Sequence, residues 1–132
     1  MGEVLVDTSA WLDFFRSYDS PHAEILDELL DHEMVCTAKV IMAEIIPGAK
    51  SPKQFQELKD YFAALPQVVE PPDLWERIMD LQFRLRKVGV DGMSIPDLII
   101  AVTAHAGEKS ILTKDKDFKQ IQKVLPISLY EA

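Results

Sequence analysis

The chain has 132 residues, a 48% hydrophobic fraction, a formal net charge of -8 and a pI near 4.8. That length fits one domain spanning residues 1–132, with enough apolar material for a true core. The acidic balance argues against nonspecific nucleic-acid binding through a broad basic face, and it suits a basic protein partner.

Cys36 is the only cysteine, so no intrachain disulfide can form. It reads as a small core residue in a strand. No apolar run has signal-peptide form or the length of a membrane span, so the expected location is the cytoplasm, without membrane attachment.

Val4-Leu5-Val6 reads as a buried strand ending in Asp7. Thr8 and Ser9 can cap the helix that follows, Ala10 to about Phe15. Ser20-Pro21 opens a second helix, whose Ala23, Ile25, Leu26, Leu29 and Leu30 recur at helical spacing. Met34 to Thr37 is a strand, and a helix from about Lys39 to Ile46 ends at Pro47-Gly48. Ser51-Pro52 opens a helix with Phe55, Leu58, Tyr61, Phe62 and Leu65 on one face. Gln67-Val68-Val69 is a short strand closed by Pro71-Pro72. A long amphipathic helix then runs from about Asp73 to Lys87.

Val88 to Met93 is a loop. Ser94-Ile95-Pro96-Asp97 has the form of a capping box, and the helix it opens, Leu98 to about Ala106, is apolar on nearly every side. Such a helix belongs at the centre of a fold. Gly107 stops it. Ser110 to Thr113 is a strand, Asp117 to Lys123 a helix, and Ile127 to Leu129 a last strand. Strands alternating with helices predict an α/β fold: a three-layer α/β/α arrangement around a parallel sheet of about five strands.

In open α/β sheets, ligands bind beyond the carboxyl ends of the strands. Asp7 follows the first strand there, and Thr113-Lys114-Asp115-Lys116-Asp117 follows the fourth. Asp97 sits in the first turn of the central helix, where the helix dipole favours an acid. Glu44 is the odd charge in Val40-Ile41-Met42-Ala43-Glu44-Ile45-Ile46, and solvation explains it poorly unless it falls on a narrow exposed stripe. Converging carboxylates oppose one another's ionisation, and Mg²⁺ or Mn²⁺ would relieve the repulsion. No His or Cys cluster suggests zinc. An acidic all-oxygen pocket suits phosphodiester hydrolysis by a metal-activated water attacking in line. The products would carry 5′-phosphate and 3′-hydroxyl ends.

Val4 to Trp11, Ala43-Glu44, Ser94 to Ala101 and Leu112 to Phe118 together resemble the PIN domain, and most closely a VapC-type toxin of toxin–antitoxin pairs. The resemblance covers essentially the whole chain. It implies a Mg²⁺- or Mn²⁺-dependent endoribonuclease with RNA as substrate, usually a homodimer, restrained by a small cognate antitoxin. By position, Asp7, Glu44, Asp97 and Asp115 match the family's catalytic and metal-binding quartet. Ser9 and Thr113 match hydroxyl positions beside it, and Asp117 ranks as accessory. No required acid is missing.

The competing reading is a PIN-like module that binds RNA or protein without cutting. A phosphoacceptor receiver domain would need a paired acid after the first strand, where this chain has Thr8-Ser9. His22, His32 and His105 share no ligand spacing and read as surface or packing residues. Trp11 and Trp75 read as core or dimer contacts ahead of base-stacking groups. Arg84, Arg86, Lys87, Lys50 and Lys53 are the candidates for touching phosphate.

Overall fold

The computed structural model describes residues 2–16 and 19–131. The central sheet has strands β1 (Val4–Val6), β2 (Val35–Cys36), β3 (Ser110–Leu112) and β4 (Ser128–Leu129) in the order β2-β1-β3-β4, all parallel. Every residue of β1 and β2 is buried, as expected of parallel strands covered on both faces.

The helices are α1 (Thr8–Phe15), α2 (Pro21–Asp31), α3 (Lys39–Ile45), α4 (Pro52–Ala63), α5 (Leu74–Lys87), α6 (Ile95–Ala106) and α7 (Asp117–Ile121). A 3₁₀ turn, Ile46–Gly48, follows α3.

About five strands were expected, and four form among the described residues. The segment 67–69 contributes one parallel bridge, Gln67 to Thr37. Thr37 N–H donates to Pro66 C=O at 2.9 Å, and Val68 N–H donates to Thr37 C=O at 2.8 Å. Val69 is 83% exposed, and prolines at 66, 71 and 72 bracket the segment, so the backbone lacks N–H donors at both of its ends, where the ladder would extend.

The serine start signals hold. Ser20, Ser51 and Ser94 accept from the backbone N–H groups of Ala23, Gln54 and Asp97 at the heads of α2, α4 and α6. The expected cap at Thr8 or Ser9 is corrected: Asp7 is the N-cap residue of α1, and its carboxylate makes no capping bond.

Helix α6 buries Leu98, Ile100, Ala101, Val102, Thr103 and Ala104, as its all-round apolarity predicts. Trp11 is fully buried and packs with Phe14, Phe15, Tyr61 and Phe62 between α1 and α4. Cys36 is also core, and burial pushes its thiol up to about 11. Phe62 is the buried residue of α4, and Phe55 and Tyr61 stay exposed. On α5, Leu74, Ile78, Leu81 and Leu85 face the core, while Trp75, Met79 and Phe83 form an exposed stripe.

Gly107 stops α6 without a left-handed φ. Its role is close approach, since a Cβ there would meet Val68 Cγ1 at 2.8 Å. The left-handed residue is Glu108 (φ 55), with Lys109 N–H bonded to Ala104 C=O; Glu33 (φ 55) ends α2 in the same way, with Met34 N–H bonded to Leu29 C=O. The same closure after α5 uses Gly89 (φ 84), which takes that conformation freely. Glu33→Gly and Glu108→Gly should each raise stability by about 0.5–1 kcal/mol in denaturant melts. A loss of stability would mean that the glutamate side chains hold those turns.

Candidate active site

The register of β1 on β3 pairs Val6 with Leu112, and Asp7 N–H donates to Leu112 C=O at 2.9 Å. Asp7 and Thr113 therefore leave the sheet side by side. Asp7 is only 4% exposed. Its Oδ2 accepts from Ser9 Oγ at 2.9 Å and from Thr113 Oγ1 at 2.8 Å. Two hydroxyls thus offset part of the cost of a buried carboxylate.

The same hydroxyls tie down the loop after β3. Asp115 N–H donates to Thr113 Oγ1 at 2.9 Å, and Lys114 N–H donates to Ser9 Oγ at 3.0 Å. Asp117 N–H then donates to Asp115 Oδ1 at 2.9 Å, turning the chain into α7.

Asp97, in the first turn of α6, meets this loop. One carboxylate oxygen from each of Asp97, Asp115 and Asp117 lies within 4.8 Å of the others. Asp97 is half-buried, and its carboxyl is pushed up to about 6, first by burial. The hydrogen bond with Ser94 opposes the shift, while the charges of Asp7, Asp115 and Asp117 add to it. Three oxygens so close, one of them resisting ionisation, suit a hard divalent cation whose remaining positions are filled by water.

The sequence-predicted residues fall in different places. Asp97 and Asp115 share the cluster, Asp117 joins them rather than standing aside, and Asp7 borders them closely enough to act on Asp97. Glu44 is on an exposed face of α3, where its Oε1 accepts from Thr8 Oγ1, the residue after Asp7, at 2.9 Å. The narrow exposed stripe is its actual setting, beside exposed Ala43.

One acid escaped the sequence reading. Asp13 is 5% exposed, and Lys114 Nζ lies 2.6 Å from its Oδ2. That hydrogen bond holds the Asp13 carboxyl below its usual range against the opposing effect of burial. The pair straps the β3–α7 loop to α1. Its signal was a lone acid inside Trp11-Leu12-Asp13-Phe14-Phe15.

The family model of the PIN domain matches residues 4–124. The chain belongs to the PIN-domain family. This PIN domain is 28% identical over 124 residues to the VapC ribonuclease Mb1587 of Mycobacterium bovis, covering 92% of each chain. It is 32% identical over 122 residues to ribonuclease VapC2 of Mycobacterium tuberculosis, covering 89% of this chain and 83% of that one.

Among solved structures, VapBC-1 from nontypeable Haemophilus influenzae matches with a TM-score of 0.75 at 15% identity, covering 97% of this chain and 96% of that one. VapBC2 from Rickettsia felis bound to a promoter DNA fragment matches at 0.72 and 20% identity, with 96% of each chain covered. These likenesses establish the PIN fold for this chain.

The raised Asp97 carboxyl fixes a pH trend for the cation-free PIN domain. Between the ordinary value of 3.8 and about 6, the unfolded acid ionises while the folded one keeps its proton. Stability therefore falls as pH rises through that window. Asp97→Asn should raise the melting temperature in chelator at neutral pH, with the gain shrinking towards pH 4. Equal melting of the two proteins across the window would show that Asp97 bears no net repulsion.

Proposed function

We propose that this chain is a divalent-cation-dependent endoribonuclease, acting as the toxin of a cytoplasmic toxin–antitoxin pair, with residues 1–132 forming one nuclease domain. The observation that carries the reading is the cluster of Asp97, Asp115 and Asp117 oxygens, bordered by Asp7, at the carboxyl edge of the sheet. RNA is favoured as substrate because the curated relatives bear the name ribonuclease.

In this reading Asp97, Asp115 and Asp117 hold Mg²⁺ or Mn²⁺, and Asp7 is the fourth acid beside them. Ser9 and Thr113 orient Asp7 through its Oδ2. Glu44, whose Oε1 accepts from Thr8 Oγ1 next to Asp7, completes the acid set, acting on the cation directly or through water. A bound cation would supply Lewis acidity, lowering the pKa of a water nucleophile and offsetting charge on the leaving oxygen. The chain's own part is to pre-position four acids on rigid strand ends and a helix terminus. Histidine is not called upon as a base.

A small antitoxin is favoured as partner because the structural relatives are VapBC and other toxin–antitoxin complexes, and the acidic chain complements a basic inhibitor. A homodimer is favoured by the exposed Trp75, Met79 and Phe83 stripe on α5.

The test is cleavage of a mixed RNA pool by inhibitor-free protein, with Mn²⁺ or Mg²⁺ against chelator, followed by mapping of the ends. Cation-dependent cuts with 5′-phosphate ends are expected. Asp7→Asn and Asp97→Asn should each lower the rate about 100-fold or more, with melting curves showing an intact fold. RNA binding with no cleavage under any cation would instead assign the chain to a non-catalytic binding module.

A further inference from the structure

The arginines of α5, Arg84 and Arg86 of the sequence reading among them, are already paired. Arg77 pairs with Asp73 at 2.8 Å, Arg84 with Asp80 at 3.6 Å and Arg86 with Asp91 at 3.3 Å. Lys87 stands over the ring of Phe83. Helix α5 therefore offers little uncompensated positive charge to a polyanion.

A different cationic surface adjoins the acid cluster. A cleft beside the β3–α7 loop is lined by His22, Thr113, Lys114, Asp115, Lys116 and Lys119. Thr113 bonds Asp7, and Asp115 belongs to the carboxylate cluster, so the cleft and the cluster share a wall. Lys114 is held by Asp13. Lys116 and Lys119 have no ion pair or hydrogen bond from their ammonium groups among the described residues. They stand three residues apart, a spacing that puts side chains on one face of a helical turn. Glu131 is the carboxylate opposing them in the lining, and the charge of Asp115 would be offset by a cation in the cluster.

We infer that this cleft seats backbone phosphates of the single-stranded substrate next to the scissile bond, with Lys116 and Lys119 as their counter-charges. The inference rests on the nuclease reading above. An acidic chain of net charge -8 repels a polyanion at long range, so productive approach needs local positive charge beside the reacting centre. Two unpaired lysines at the rim supply it where the phosphates must pass. Being mobile point charges, they would grip any sequence alike.

The experiment compares wild type, the Lys116→Gln/Lys119→Gln double variant and an Arg84→Gln/Arg86→Gln double variant. Binding of a fluorescein-labelled single-stranded RNA is followed by anisotropy in chelator over a salt series. Cleavage kinetics are followed in Mn²⁺, and Mn²⁺ uptake by calorimetry. Loss of two phosphate contacts should lower the log–log salt slope by about 1.4. The lysine variant should show that drop, together with a KM raised about tenfold and unchanged Mn²⁺ uptake. The arginine variant should keep the wild-type slope.

A lysine variant with wild-type slope and KM overturns the inference. So does a slope lowered by the arginine pair instead, which would place the strand on α5. Wild type that neither takes up Mn²⁺ nor cuts RNA fails the nuclease reading itself, a result distinct from either.

Discussion

The site depends on the parallel register of β1 against β3. With Val6 opposite Leu112, the next residue on each strand is a functional one, Asp7 on one side and Thr113 on the other. A slip of one residue would point Thr113 to the opposite face. The hydroxyl bond to Asp7 would be lost, leaving a nearly buried carboxylate with one donor fewer. Sheet pairing, set by buried aliphatic residues, thus fixes the position of a charge.

From that anchor the remaining acids follow by short covalent reach. Thr113 Oγ1 accepts from Asp115 N–H while donating to Asp7, and Asp115 in turn accepts from Asp117 N–H. The loop is wound around its own side chains, and Lys114 pins it to Asp13 on α1. Asp97 arrives separately, on a helix whose apolar circumference leaves it no place but the interior. Burial and like charge then make its ionised form unfavourable. The protein holds that electrostatic conflict with rigid elements, a local violation of stability rules of the kind expected where binding energy is to be gained.

The order of elements was legible because hydrophobic periodicity and serine–proline starts are local signals, and the core of a parallel sheet needs only those. The seven helices of the described residues lie where the sequence signals put them, with boundaries moved by a few residues. The segment at 67–69 was misjudged because strand formation is decided by neighbours. Val68 and Val69 have the propensity, but the flanking prolines leave one bridge. The ends of α2 and α6 fall where the sequence placed them, but the glutamates at positive φ that close them give no signal in sequence.

The rule that an acid stranded among apolar residues must be special was applied to Glu44, and it applies equally to Asp13. Both interrupt hydrophobic runs. Helix α3 turns Glu44 outward, whereas α1 is covered on the side that carries Asp13, so that acid is enclosed and needs Lys114. Which face is covered depends on tertiary packing, and a single helix pattern does not contain it. The same limit applies to the cations. Arg86 looks available until Asp91 is placed within reach of it, while Lys116 and Lys119 look ordinary until their loop is folded against the acids. Charge in a sequence is a sum. Recognition depends on what remains after neighbouring charges have paired, and that remainder appears only once the chain is folded.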